Sequence, residues 1–306
     1  MKTAVIFTGG TIASVIRGGL IGVSGRQKYK ILECVPNVDV DIFEPYTILS
    51  ENLDAEHIAA LIECISKVNG GYDGIIVCHG TDTLQYGACA AAYALGSDTA
   101  PIVFVSSNYI LDDNRANGFD NFKAAYDFIK SRCGLGVFIA YKNSGEDPKI
   151  PRASRAAAHM QYSDKIISIG GEYGEYADGV FRKNPNYTEI PDETAPLGAC
   201  SLTAASALKL TAYPNMPIPD TSAPILLEAY HSGTAAQSVI ENSNSRIYIT
   251  GVEDRIQYES TRVFSRPNIT VLRRAAAPAM YMKLWMCECA GRTGDMNLTL
   301  ASDFAD

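Results

Sequence analysis

The chain has 306 residues, of which 47% are apolar and 20% charged. That is enough apolar content for a large buried core and for two domains, and it excludes a disordered chain. The net charge of −8 comes with no basic run, which argues against a nucleic-acid partner. No apolar stretch reaches the roughly 18 to 20 residues a membrane span needs.

Residues 2–7 read as a buried strand, and Thr8-Gly9-Gly10-Thr11-Ile12-Ala13 follows it directly. Residues 54–69 read as a helix with Ile58, Leu61, Ile62, Ile65 and Val68 on one face, Asp54 as cap and Gly70-Gly71 as terminator. A strand at 74–78 runs into His79-Gly80-Thr81-Asp82-Thr83, and an alanine-rich helix over 84–95 suits close packing on a sheet. Pro101 opens a strand at 102–105. Phe119, Phe122, Tyr126 and Ile129 fit a helix, and 135–141 fits a strand. This alternation predicts a parallel sheet with right-handed crossovers. Pro185, Pro191 and Pro196 mark a linker. Short strands follow near 206–212, 224–229 and 246–250, with helices near 234–241 and 276–289. The expected architecture is therefore α/β with two domains: a larger parallel-sheet domain over 1–184, a linker over 185–198, and a smaller α/β domain over 199–306.

The two glycine-threonine motifs carry the chemistry. Each puts a hydroxyl on a tight turn at a strand end, where open α/β sheets bind ligands. A glycine pair before Thr11 lets the backbone turn sharply and exposes N–H groups able to hold an anion or oxyanion. Both GxGxxG and GxxxxGK[ST] are missing, so a nucleotide site is disfavoured. A threonine hydroxyl is a weak nucleophile that needs activation, and Asp82 is suited to an ammonium group. His79 is read as a buried, hydrogen-bonded strand-end residue rather than a catalyst.

The start Met1-Lys2-Thr3-Ala4-Val5 lacks the features of a secretory signal, so a mature, cytoplasmic protein is expected. The eight cysteines agree: Cys64, Cys78 and Cys89 sit singly in apolar segments, as free thiols do. Cys287 and Cys289 form the only close pair, within a helical pattern. The four histidines are scattered, so no metal site is expected.

Together, TGGTIAS and HGTDT resemble the signatures of the bacterial L-asparaginase/glutaminase family, in particular its cytoplasmic type I-like members. The resemblance continues more weakly through most of the chain: Ser50-Glu51-Asn52, Pro101-Ile102-Val103 with Ser106-Ser107-Asn108, Asn117-Gly118 with Asn121, Leu226 to Thr234, and Tyr281-Met282-Lys283-Leu284. It implies hydrolysis of L-asparagine to L-aspartate and ammonia without a cofactor. Thr11 would be the nucleophile that forms an acyl-enzyme, and Thr81 would help activate the attacking group or the hydrolytic water. Asp82 would bind the substrate ammonium. Ser50, Glu51 and the Gly80 backbone would hold its α-carboxylate and α-amino end. The Ser107 carbonyl would meet the leaving amide, and N–H groups near Thr11 and Thr81 would form an oxyanion hole. A homodimer or homotetramer, with a neighbour's second domain closing each site, is also implied.

Two positions depart from the family pattern. Matching Pro151-Arg152-Ala153-Ser154-Arg155 to its Arg-Ala-x-Lys puts Arg155 where a lysine completes a Thr-Lys-Asp triad. An arginine there would lend charge but could not take a proton from Thr81. In the loop from Gly19 to Gly25, Leu20 falls where many members carry a tyrosine, and Tyr29 is the nearest replacement, more simply read as a packing residue. Two other functions stay open: a weak or inactive homologue that binds an amino acid or regulates, and an amidase acting on glutamine or another amide.

Overall fold

The apolar runs at 2–7, 74–78, 102–105 and 137–140 become four neighbouring strands of one parallel sheet. The computed structural model describes residues 1–23, 27–36, 38–252 and 258–305. In chain order, β1 (Lys2–Phe7) is followed by a hairpin of β2 (Ser14–Arg17) and β3 (Leu20–Val23), then by β4 (Asp39–Phe43). Next come α1 (Ala55–Val68), β5 (Gly74–Cys78), α2 (Leu84–Leu95), β6 (Ile102–Val105), α3 (Gly118–Ser131) and β7 (Val137–Ala140).

These strands pair in parallel in the order β4-β1-β5-β6-β7. Alternate residues of each strand face opposite layers, as the two-residue repeat requires. Ala4, Ile6, Ile75, Val77, Ile102 and Phe104 join the core with α1 and α2. Val5, Phe7, Ile76, Cys78, Val103 and Val105 face Phe122, Ala125, Phe128 and Ile129 of α3. The chain leaves β1 for β4 on one side and continues from β5 on the other. The order therefore reverses between β1 and β5, the place where sheets of this kind open a ligand crevice.

Asp54 caps α1 by accepting the His57 N–H at 3.0 Å, and Gly70, at φ +83°, turns the chain away after it. The alanine run of α2 is fully buried. Its small side chains let that helix sit close to α1, to the sheet and to the last helix.

An antiparallel sheet follows, built from β8 (Lys149–Ile150), β9 (Gly174–Ala177) and β10 (Val180–Lys183). Residues 185–198 hold no helix or strand but are tied down. The Leu197 N–H donates to the Tyr93 carbonyl at 2.9 Å, and Asp192 accepts from Ser97. A second parallel sheet takes the order β11 (Leu208–Thr211), β12 (Ile225–Glu228), β13 (Ile247–Thr250), β14 (Ile269–Val271), with α4 (Gln237–Glu241) between β12 and β13. The last helix, α5 (Ala277–Ala290), packs on α2 and on β12. Among the described residues, no helix is long and apolar enough to cross a membrane.

Lys283 of α5 is fully buried, as is Asp303, and their charges meet at 2.7 Å. The Lys283 ammonium also donates to the Leu298 carbonyl, while Asp303 accepts from the Leu300 N–H and the Tyr93 hydroxyl. This network fastens the last residues of the chain between α2 and α5. Removing one partner of a buried pair leaves the other charge uncompensated. Lys283→Met is therefore expected to lose about 3–5 kcal/mol of unfolding free energy, measured by urea titration. A loss no larger than that of a surface ion pair, about 1 kcal/mol or less, would contradict this account.

Candidate active site

Two loops meet at the carboxyl ends of β1 and β5. Gly9 and Gly10 sit at φ +108° and +72°, a region that disfavours side chains. A Cβ on Gly10 would fall 2.2 Å from the Gly80 Cα, and one on Gly9 would fall 2.1 Å from the Ile48 carbonyl oxygen. A Cβ on Gly80 would strike the Ser50 side chain at 2.3 Å. Three strand-end segments thus touch through bare backbone. The Thr8 N–H donates to the Cys78 carbonyl at 3.1 Å and the Gly10 N–H to the Ile48 carbonyl at 2.8 Å, which locks the stack.

Thr11 opens a short 3-10 turn, Thr11–Ala13, and Thr81 precedes α2. Both line one cleft of about 560 Å³, together with Asp82, Gln85, Asn108, Tyr141 and the segment 158–164. Among the described residues, neither the Thr11 nor the Thr81 N–H has a backbone acceptor, which leaves both available to an oxyanion. The Thr81 hydroxyl donates to the Ser107 carbonyl at 2.9 Å. The Ser50 carbonyl accepts from the Thr83 hydroxyl at 3.0 Å, and Glu51 lies exposed beside it in the same 3-10 turn. Ser50, Glu51, Gly80 and Ser107 therefore stand behind or beside Thr81, while Thr11, Thr81 and Asp82 face the cleft.

A family model described as "Asparaginase, N-terminal" matches residues 2–163, more than half of the chain. The chain belongs to the asparaginase family. It is 32% identical over 133 residues to an L-asparaginase of Bacillus licheniformis, a stretch covering 40% of each chain. It is 38% identical over 177 residues to a component of the glutamyl-tRNA(Gln) amidotransferase of Methanosarcina barkeri, covering 55% of this chain and 41% of the relative. The matched stretch thus spans about two-fifths of the length of these curated relatives. The fold matches the thermostable L-asparaginase from Thermococcus kodakarensis at a TM-score of 0.78, with 17% identity and full coverage of both chains. It matches a probable cytoplasmic L-asparaginase from Campylobacter jejuni at 0.69, with 19% identity over 95% of each chain. The mixed α/β architecture with parallel sheets is thus an asparaginase fold.

Within that fold, Arg155 does not reach the cleft. Its side chain is buried, its Nε donates to the Ser302 carbonyl at 2.7 Å, and its guanidinium lies 4.8 Å from the centre of the Tyr187 ring. The expectation that it stands beside Thr81 in the place of a lysine is corrected: it clasps the end of the chain. Leu20 is 77% exposed, on the first residue of β3, and does not line the cleft. Ser24 and Gly25, which complete its loop, lie outside the described residues. Tyr29 packs edge-on against Phe7 and donates to Glu44.

The residue that sequence reasoning missed is His159. It lines the cleft and is the one basic side chain among the described lining residues. Its ring meets the Tyr141 ring at 5.6 Å, and its Nε2 is buried without a hydrogen-bond partner. Burial pulls its pKa below the usual histidine range, while the charges of Asp82 and Asp164 oppose that shift. No motif spacing marks it; it follows an alanine triplet within a loop.

A second cleft of about 510 Å³, lined by Ser97, Arg132, Arg152 and Glu189 among others, contains neither threonine. Among the described residues, no group of three or more His, Cys, Asp or Glu side chains could hold a metal ion.

His79 sits under the cleft floor, with Nδ1 2.9 Å from the Gly80 carbonyl oxygen and its ring against Gly87. Burial lowers its pKa to about 4. The folded protein then binds fewer protons than the unfolded chain between that value and about 6.5. Stability is full above this window and falls as pH drops through it. The loss is expected to be about 3 kcal/mol between pH 7 and 4. Urea titrations at both pH values should show a smaller drop for His79→Gln than for wild type. Equal drops would place the acid sensitivity elsewhere.

Proposed function

We propose that this chain is an amidohydrolase that converts L-asparagine to L-aspartate and ammonia through an acyl-enzyme on Thr11. One observation carries the reading: Thr11, Thr81 and Asp82, from two separate strand-end loops, line a single cleft at the point where the strand order reverses. The Thr11 hydroxyl attacks the side-chain amide carbon. Backbone N–H groups of Thr11 and Thr81 take the developing negative charge, and ammonia leaves. Thr81, held by the Ser107 carbonyl, assists the attacking group. Asp82 pairs with the substrate ammonium. Ser50, Glu51 and Gly80 shape the end of the site that receives the α-carboxylate and α-amino groups. No cofactor takes part.

The identity to a glutamyl-tRNA(Gln) amidotransferase component over 177 residues favours glutamine, or an amide in a larger substrate, as the second donor to test. In this reading the protein acts in the cytoplasm as a homodimer or homotetramer. Its division into 1–184, a linker at 185–198, and 199–306 is part of the same proposal. Light scattering on the purified protein tests the number of chains in the assembly.

Ammonia release is measured on asparagine, on glutamine and without substrate. The expected result is turnover on asparagine that Thr11→Ala abolishes while leaving the thermal melt unchanged. Activity near wild type in that variant would remove Thr11 from the role. No turnover on either amide would favour an inactive, amino-acid-binding homologue.

Asp82→Asn is expected to raise KM for asparagine by about tenfold or more, because a charge-assisted contact is worth about 1.5–3 kcal/mol. An unchanged KM would assign the ammonium to another group.

A further inference from the structure

We propose that His159 is the proton acceptor of this cleft, doing the work that a lysine beside the second threonine would do. The inference rests on the amidohydrolase reading above and names the base that reading lacks.

Hydrolysis of a threonine ester needs a group that accepts a proton at neutral pH. Among the described residues, no lysine or arginine lines the cleft. Arg155 is engaged with Ser302 and could not give up its own proton to become a base. His79 lies outside the lining and against the Gly80 carbonyl. The Tyr141 phenol, pushed up to about 12 by burial, stays protonated at neutral pH. Asp164 accepts weakly from the Asn108 amide at 3.4 Å, and Asp82 is assigned to the substrate ammonium. His159 remains. It stands on the same cleft wall as Asp164, its Nε2 is shielded from solvent, and no protein group occupies that nitrogen.

The titratable groups that bear on the ring are Asp82 at the head of α2, Asp164 on its own segment, and the Tyr141 phenol after β7. Lys165 presents its backbone to the ring, and its ammonium pairs with Glu146. Burial outweighs both acids and keeps the imidazole neutral at pH 7, the form that accepts a proton.

In deacylation, a turn of the His159 ring brings Nε2 from its buried position into the cleft; a water oxygen then bonds to the acyl carbon while its proton passes to Nε2, directly or through one further water. The tetrahedral species then collapses, the bond to the Thr11 oxygen breaks, and that oxygen takes the proton back from His159. The carboxylic acid product leaves as its carboxylate, releasing its proton to solvent.

The test is kcat on asparagine from pH 5 to 9 for wild type, His159→Gln, His159→Lys and Asp164→Asn. His159→Gln is expected to lower kcat by about 10²–10⁴-fold, with a much smaller change in KM. The acidic limb of the wild-type profile, with its midpoint below about 6.5, should disappear with it. His159→Lys should restore part of kcat, with the limb moved to higher pH. Loss of the limb in Asp164→Asn but not in His159→Gln would give the role to Asp164 and overturn the proposal. So would a kcat within tenfold of wild type in His159→Gln. If His159→Gln does not fold, the proton resonances of the wild-type ring decide: a His159 titration midpoint that does not coincide with the kcat limb overturns the assignment. If wild type releases no ammonia from either amide, the amidohydrolase reading itself fails and this proposal falls with it. An active wild type that tolerates His159→Gln defeats this proposal alone.

Discussion

The site depends on one steric constraint: the backbones of Gly10 and Gly80 touch, with no room for a side chain between them. That contact draws the loops after β1 and β5 together and sets Thr11 and Thr81 on one cleft. Ser50 stacks on Gly80 from the other side, and Ile48 fills the space beside Gly9. A methyl group at any of these glycines would push two loops apart. A shift of that size is enough to separate a nucleophile from the group that assists it. The glycines before the two threonines therefore act as spacers of zero width, and only secondarily as flexible turns.

A second constraint explains why the buried arginine is absent from the chemistry. Residues 298–305 run between α2, α5 and the turn Ala153–Arg155. Three buried groups hold them there: Lys283 on Asp303, Ser154 on the Ala301 carbonyl, and Arg155 on Ser302. A guanidinium buried this deeply needs acceptors, and the carbonyl and hydroxyl of Ser302 supply two. Turning Arg155 toward the cleft would strand those acceptors and open a gap beside Tyr187. The charge thus serves the closure of the chain end. The neighbouring segment 158–164 is the one that brings a basic side chain, His159, to the described cleft wall.

The legible parts of the sequence are those where burial is two-sided or a cap is explicit. The runs of β5, β6 and β7, and β1 after Thr3, are apolar because helices cover both faces, and α1 announces itself through Asp54 and Gly70. β4 carries no such signal: it is an edge strand, and Asp39 and Asp41 break its apolar pattern, as edges do to avoid pairing. The β2–β3 hairpin does carry one, Gly18-Gly19 between short apolar runs, both at positive φ, although the motif beside it draws the eye first. β8 is two residues long and pairs with β9 across a long stretch of sequence, so local pattern carries little of it; β9 and β10 do carry a signal, a tight hairpin about Asp178-Gly179, both at positive φ. At the site, Thr11, Thr81 and Asp82 are legible because TGGTIAS and HGTDT, each at a strand end, together resemble family signatures. His159 is not, because its place is fixed by a loop that pairs residues 155 and 157 with 167 and 169. Arg155 is misread for the same reason: register in a loop follows tertiary packing.

The electrostatics of the cleft follow from these placements. Its described lining carries two carboxylates, Asp82 and Asp164, against a histidine that burial keeps neutral. Such a lining attracts an ammonium and repels a free carboxylate. An α-amino-acid substrate brings both. No lysine or arginine lies on the described wall; in the proposed reaction the substrate carboxylate would be met by backbone amides of the Gly80 loop and by the Ser50 segment packed on it. Those donors are fixed by the same Gly10–Gly80 contact that positions the threonines. In the proposed reaction, orientation of the substrate and alignment of Thr11 would therefore both follow from one packing event, and a substitution that loosens the glycine contact should degrade both together.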